Sequence, residues 1–140
     1  NAAFEGDGSP LIAAARGGHT DAVRLLLDRG AQPSRAVPGD GSPLIAAAAA
    51  RHLAILDLLL HRGALVDQVV PGDENALIQA SGEGHLAVVQ LLVNRGADVN
   101  ARVRADRLDG RGEWRTPLGM ARRGRHDAVV AFLRMSGARD

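Results

Sequence analysis

The chain of 140 residues contains no cysteine, no lysine and no tyrosine, and its aromatic side chains are Phe4, Trp114 and Phe132 alone. Without cysteine there is no disulfide framework and no thiolate metal site. With so few rings the core must be aliphatic, and the large side chains that usually line small-molecule pockets are missing, which argues against a cofactor site. No apolar run approaches the roughly 18 residues of a membrane span. The opening NAAFEGDGSP has neither the basic start nor the apolar centre of a signal peptide. No membrane insertion is expected, and a soluble, cytoplasmic chain is the working expectation.

What is present is a period. Leu11, Leu44 and Leu77 stand 33 residues apart, as do Gly30, Gly63 and Gly96, and the next pair, Leu118 and Gly137, follows after 41. Self-similarity at this step marks a solenoid, in which no unit can bury its apolar face alone. Four copies are expected, over about 4–36, 37–69, 70–102 and 111–140, as a single domain spanning 1–140. An eight-residue insertion lies within about 103–114. Asn1 and Ala2 fall in register with Asn100 and Ala101, so the chain reads as beginning inside a longer array.

Each copy opens on a capping residue, Ser9, Ser42, Asn75 or Thr116, whose side-chain oxygen can accept a first-turn N–H. Pro10, Pro43 and Pro117 follow at the position where a missing N–H costs nothing. A short helix with small residues comes next, then a break, then a longer helix with apolar residues three and four apart, such as Val23, Leu26 and Leu27. Gly30, Gly63, Gly96 and Gly137 end the longer helices, where glycine most easily turns left-handed. Val37–Gly41 and Val70–Glu74 are turn-rich clusters that suit projecting hairpins.

Thr116-Pro117-Leu118, Gly84-His85-Leu86, Val88-Val89-Gln90-Leu91-Leu92 and Gly96-Ala97-Asp98-Val99-Asn100 resemble the ankyrin repeat at its own spacing, and the likeness runs from about Phe4 to Arg139. The resemblance implies an all-α fold: an ankyrin-repeat solenoid of about four helix-turn-helix units with projecting β-hairpin fingers and a concave surface that binds proteins. Ile12, Ile45, Ile78 and Gly119 stand where the family has histidine, so apolar packing must replace its hydrogen bonds. Arg51 and Arg125 replace the glycine of Gly-His, where a non-glycine residue is expected to accept positive φ or to rearrange the break. Residues 70–101 and 113–125 also look like ankyrin tails of some bacterial membrane-anchored sensor metallopeptidases, although the chain carries no metallopeptidase motif.

No catalytic constellation emerges. His19, His52, His85 and His126 recur at one place per copy, roughly 10 Å apart in a stack, too far for the ~2 Å ligand distances of one zinc ion. They read as helix-start residues, and His61 as a surface residue. Gly-Asp-Gly at 6–8 and 39–41 lacks the Lys-Ser/Thr of a phosphate loop. Residues 106–110 lack the alternating ligands of a calcium loop. No nucleophile, base and acid fall into a pattern. Neither an enzyme, a cofactor nor a metal is expected.

The charge is divided unevenly. Up to Ala101 there are seven Arg against eleven acids, and from Arg102 onward ten Arg against five. Nucleic acid is not the expected partner, because one aromatic among so many Arg is too few for base stacking; a solubilising end cap is the plain reading. The insertion has two readings: an added binding element carrying Trp114, a residue type enriched at interface hot spots, or local core with Trp114 folded over the last two copies.

The function expected is a non-enzymatic protein–protein interaction module. Matching the family's variable positions places its surface at Arg16, Gly17, Ala49, Ala50, Gly82, Glu83 and Arg123 and at the finger residues Glu5, Gly6, Pro38, Gly39, Pro71 and Gly72; Arg51 and Trp114 are further contact candidates. The alternative is an engineered or self-associating scaffold that binds a second copy of itself. Its motive is the run Ala46–Ala50, which with Leu65 would expose more apolar surface than a solitary monomer needs.

Overall fold

The computed structural model describes residues 9–37, 41–70, 75–105 and 112–139. Glu5, Gly6, Pro38, Gly39, Pro71 and Gly72 lie outside them. The described residues form four helix pairs: α1 (Ser9–Gly17) with α2 (Thr20–Asp28), α3 (Pro43–Ala49) with α4 (Leu53–His61), α5 (Ala76–Glu83) with α6 (Leu86–Asn94), and α7 (Pro117–Arg123) with α8 (Asp127–Met135). Between the last two pairs, β1 (Val103–Ala105) and β2 (Glu113–Arg115) pair antiparallel. A single bridge, Val37 to Gly41, closes the finger ahead of α3.

The caps act as the sequence suggests. Ser42 Oγ accepts the Ile45 N–H at 3.2 Å, Asn75 Oδ1 that of Ile78 at 2.8 Å and Thr116 Oγ1 that of Gly119 at 3.0 Å. At the far end of each second helix, Gly30, Gly63, Gly96 and Gly137 take φ between 95° and 101°. The alanine after each glycine then reaches back five residues: Ala31 to the Leu26 carbonyl at 3.0 Å, Ala64 to Leu59 at 2.9 Å, Ala97 to Leu92 at 3.0 Å and Ala138 to Leu133 at 2.9 Å. This left-handed closure satisfies a carbonyl that the helix end leaves orphaned.

The same closure ends the first helices, and there it explains the two arginines. His19, His52, His85 and His126 each donate a backbone N–H to the residue five back, at 2.9 to 3.0 Å. That bond requires positive φ at the residue between. Gly18 and Gly84 supply it at 78° and 77°, whereas Arg51 and Arg125 are held at 61° and 60°. The breaks are not rebuilt; the strain is accepted.

The core is aliphatic and continuous through the stack. Leu11, Leu44, Leu77 and Leu118 are buried at one position of successive first helices, and Ile12, Ile45 and Ile78 fill the position where hydrogen-bonding histidines were not available. Val23, Leu27, Leu56, Leu59, Val89, Leu92, Val129 and Leu133 cover the second helices. Ala14, Ala15, Ala47, Ala48, Ala80, Ser81 and Ala121 are buried and small, which lets first helices approach one another. The alanine run is thereby corrected: Ala46, Ala47 and Ala48 belong to this core, and only Ala49 and Ala50 reach the surface.

Neighbouring pairs are not joined equally. His52 Nε2 lies 3.1 Å from the Arg16 carbonyl and His126 Nε2 3.0 Å from that of Gly82, so each ring fastens its pair to the preceding first helix. A Cβ at Gly18 or Gly84 would collide with those rings. At the middle seam the glycine is Arg51. No such bond joins His85 to Ala49 among the described residues; its buried Nδ1 has no hydrogen-bond partner and faces Glu83 at 3.6 Å. Gln79 Oε1 and Ser81 Oγ of the same pair are also buried without partners. Helices α3 and α5 meet less extensively than their neighbours do, and a cleft of about 360 Å³ opens between Arg51, Leu53 and residues 84–88. Arg51 lines this cleft, at the position where the two closed seams have glycine.

Substituting Arg51→Gly is expected to stabilise the chain by about 1 kcal/mol from φ relief, with a further gain if His85 closes onto Ala49. Arg125→Gly gives only the first part, since among the described residues no pair packs on its far side. Thermal melts in which Arg51→Gly does not exceed Arg125→Gly would mean that the middle seam is open for another reason.

Candidate functional site

The first helices are buried along most of their length and reach solvent at their C-terminal ends. Arg16, Gly17, Ala49, Glu83 and Arg123 are exposed there, with Ala50 and Gly82 half-buried. These residues occupy equivalent positions on helices that pack side by side, α1 on α3, α3 on α5 and α5 on α7. Arg51 is exposed as well and lines the cleft just described. The row varies in chemistry, basic at both ends, small in the middle and acidic at Glu83, over a backbone that does not vary.

The loops after the second helices are sewn together by a second polar series. Ser34 Oγ accepts the Leu65 N–H at 2.8 Å, Asp67 Oδ1 accepts that of Asp98 at 3.0 Å, and Asn100 Oδ1 accepts that of Arg139 at 2.8 Å. Ser34, Asp67 and Asn100 are 33 residues apart. On the helices, Arg62 pairs with Asp28 and Arg95 with Asp57. These pairs are exposed and contribute little individually.

The insertion ends as a two-stranded hairpin. Its register sets Val103 opposite Arg115, Arg104 opposite Trp114 and Ala105 opposite Glu113. Because side chains alternate along a strand, Val103, Glu113 and Arg115 share one face, and Arg102, Arg104 and Trp114 the other. Val103 is buried, which makes its face the inner one. Trp114 is 55% exposed and does not fold over the last two pairs as core. Instead, the Arg102 guanidinium carbon lies 4.7 Å from the ring centroid and that of Arg104 5.9 Å, within cation–π range.

A carboxylate anchors the inner face. Glu113 Oε1 accepts from Arg123 and from Arg115, each at 3.0 Å, and Oε2 lies 3.5 Å from the second Arg123 nitrogen. The Arg123 hydrogen bonds, then those of Arg115, hold the Glu113 carboxyl below the usual carboxylate range. Arg123, singled out from sequence as a contact residue, therefore also ties β2 to α7. Sequence reasoning missed this clamp and the two arginines over Trp114. The signal was available: Val103-Arg104-Ala105 and Glu113-Trp114-Arg115 alternate as strands do.

The sign of the pH dependence follows from the lowered pKa. The clamp is intact above the ordinary glutamate value and is lost as pH falls through the depressed one. Trp114 is the sole tryptophan and there is no tyrosine, so its emission reports on the hairpin. The emission is expected to change in a step below the ordinary glutamate value of 4.5, and Glu113→Gln should abolish that step at all pH values tested. A step that survives in Glu113→Gln would assign it to another carboxyl.

A family model described as ankyrin repeats (3 copies) matches residues 2–70 and 40–103. No curated protein matches the chain. The match concerns the repeat and carries nothing about the metallopeptidase tails.

Proposed function

Since the chain belongs to the ankyrin-repeat family, whose repeats are generally protein-interaction modules, we propose that it is a non-enzymatic module that binds a protein partner through the exposed ends of its first helices and its fingers. The domain proposed is 1–140, with repeats about 4–36, 37–69, 70–102 and 111–140. One observation supports this most directly: Arg16, Ala49, Gly82 and Arg123 hold equivalent places on neighbouring buried helices, yet differ in charge and size. A recurrent scaffold that varies only where it meets solvent suits recognition better than catalysis. A cytoplasmic location is proposed with it; no described helix is long and apolar enough to cross a membrane.

The self-associating or engineered alternative loses Ala46, Ala47 and Ala48 to the core but keeps Ala49 and Leu65 at the surface. Light scattering is expected to give the 14.6 kDa mass of one chain across concentration.

The binding surface is tested with peptides selected against the chain from a random display library. Placing Arg16→Glu and Ala49→Glu together should weaken the selected peptides at least tenfold while leaving the melt unchanged, because a few central residues dominate interfaces. Gln90→Glu, on the exposed side of α6, should change nothing. Loss of binding through Gln90→Glu and none through the double variant would move the surface to the second helices.

A further inference from the structure

The geometry points to the outer face of the β1–β2 hairpin as a docking site for an acidic peptide segment of the partner, held by the Arg102 and Arg104 guanidiniums that lie over Trp114. This rests on the protein-binding reading and adds the chemical class of what is bound.

The argument begins with how the arginines are held. A guanidinium lying over an indole uses its flat face for the contact and keeps its N–H donors, which lie in its own plane, directed outward. Those donors match a carboxylate two at a time. Among the described residues no carboxylate pairs with Arg102 or Arg104. Glu113, the acid paired across from Ala105, is on the opposite face and is already engaged by Arg123 and Arg115. Both cations thus lie against the indole and, among the described residues, have no carboxylate partner. Gly112 leaves room for the Arg104 guanidinium, which a Cβ there would strike.

The surroundings extend the same chemistry. A cavity of about 530 Å³ adjoins Arg102 and is lined by Asn100, Thr116 and Arg139 as well. The Asn100 amide is already committed, donating to the Gly137 carbonyl at 3.2 Å and accepting from the Arg139 N–H at 2.8 Å. Thr116 Oγ1 accepts from Gly119. Arg102 and Arg139 also line it, and Arg104 lies outside it beside Trp114; guanidiniums take an anion. Residues 102–140 carry ten Arg against five acids, so the wider field favours an acidic chain over a basic one.

A peptide fits better than a nucleic acid. Base stacking needs an open π-face, and the indole here already carries two guanidiniums. Its exposed remainder suits an aliphatic side chain beside the acids. The clamp through Glu113 holds the hairpin in position before binding, which lowers the ordering cost.

Because Trp114 is the sole tryptophan, its emission follows the site without a label, and calorimetry serves as a second readout. The probe is a synthetic decapeptide with Glu at alternate positions and Leu or Ser between, compared with the same peptide carrying Gln for Glu and with a ten-nucleotide oligothymidylate. The Glu peptide should bind saturably and weaken as salt rises. Arg102→Gln and Arg104→Gln should each weaken it about tenfold and the pair about a hundredfold, and the Gln peptide should not bind. Equal binding of the Gln peptide, indifference to the double Arg→Gln variant, no binding at all, or tighter binding of the oligonucleotide would each overturn the assignment. If the Glu peptide fails while Arg16→Glu with Ala49→Glu still abolishes the display-selected peptides, only the hairpin site falls and the module reading stands.

Discussion

Everything in this molecule depends on first helices approaching one another through small side chains. A helix pair of this length has one apolar stripe and no means of closing over it, so a unit acquires a core only when the next unit covers it. Ala14, Ala15, Ala47, Ala48, Ala80, Ser81 and Ala121 make that approach close enough for Leu11, Leu44, Leu77 and Leu118 to be sealed between layers. Larger residues would hold the layers apart and leave the leucines wet. The absence of aromatic cores follows from the same constraint, since a ring in the first helix has no room.

Around that contact run polar fastenings that depend on the repeat being in register. His52 and His126 reach the carbonyls of Arg16 and Gly82, and Ser34, Asp67 and Asn100 accept the N–H of Leu65, Asp98 and Arg139. Each is a modest interaction of about 1 kcal/mol, but each also selects one spacing between layers. The middle seam shows what happens when one is lost. With Arg51 at the glycine position, no bond joins the His85 ring to the Ala49 carbonyl among the described residues. His52 keeps its bond although Ala50 beside it also carries a Cβ. The open seam thus coincides with a non-glycine residue on the preceding repeat.

The periodic features were legible in the sequence because each rests on local chemistry that repeats: caps at Ser42, Asn75 and Thr116, left-handed glycines, and the apolar stripe. The positive φ of Arg51 and Arg125 was legible for the same reason, since the closing bond at the break does not depend on the side chain it strains. Two things were not legible. Five alanines in a row do not reveal which are covered, because burial is set by the layer on the other side, and three of them are core. The position of Trp114 depends on strand register within an insertion that no other copy repeats, so the period that explains the rest is silent there.

That register decides what the insertion is. Had β1 and β2 paired one residue out of step, Trp114 would have turned inward beside Val103, and Glu113 outward to neutralise Arg104. The observed pairing does the reverse on both counts: the carboxylate is spent on Arg115 and Arg123 beneath the sheet, and the indole is left above it with two cations. An exposed tryptophan adds nothing to the core it leaves, and two like charges, with no carboxylate partner among the described residues, oppose each other across it. The hairpin therefore does not strengthen the stack through this face. The other face secures the strand to α7, and the two arginines and the ring are held outward by it.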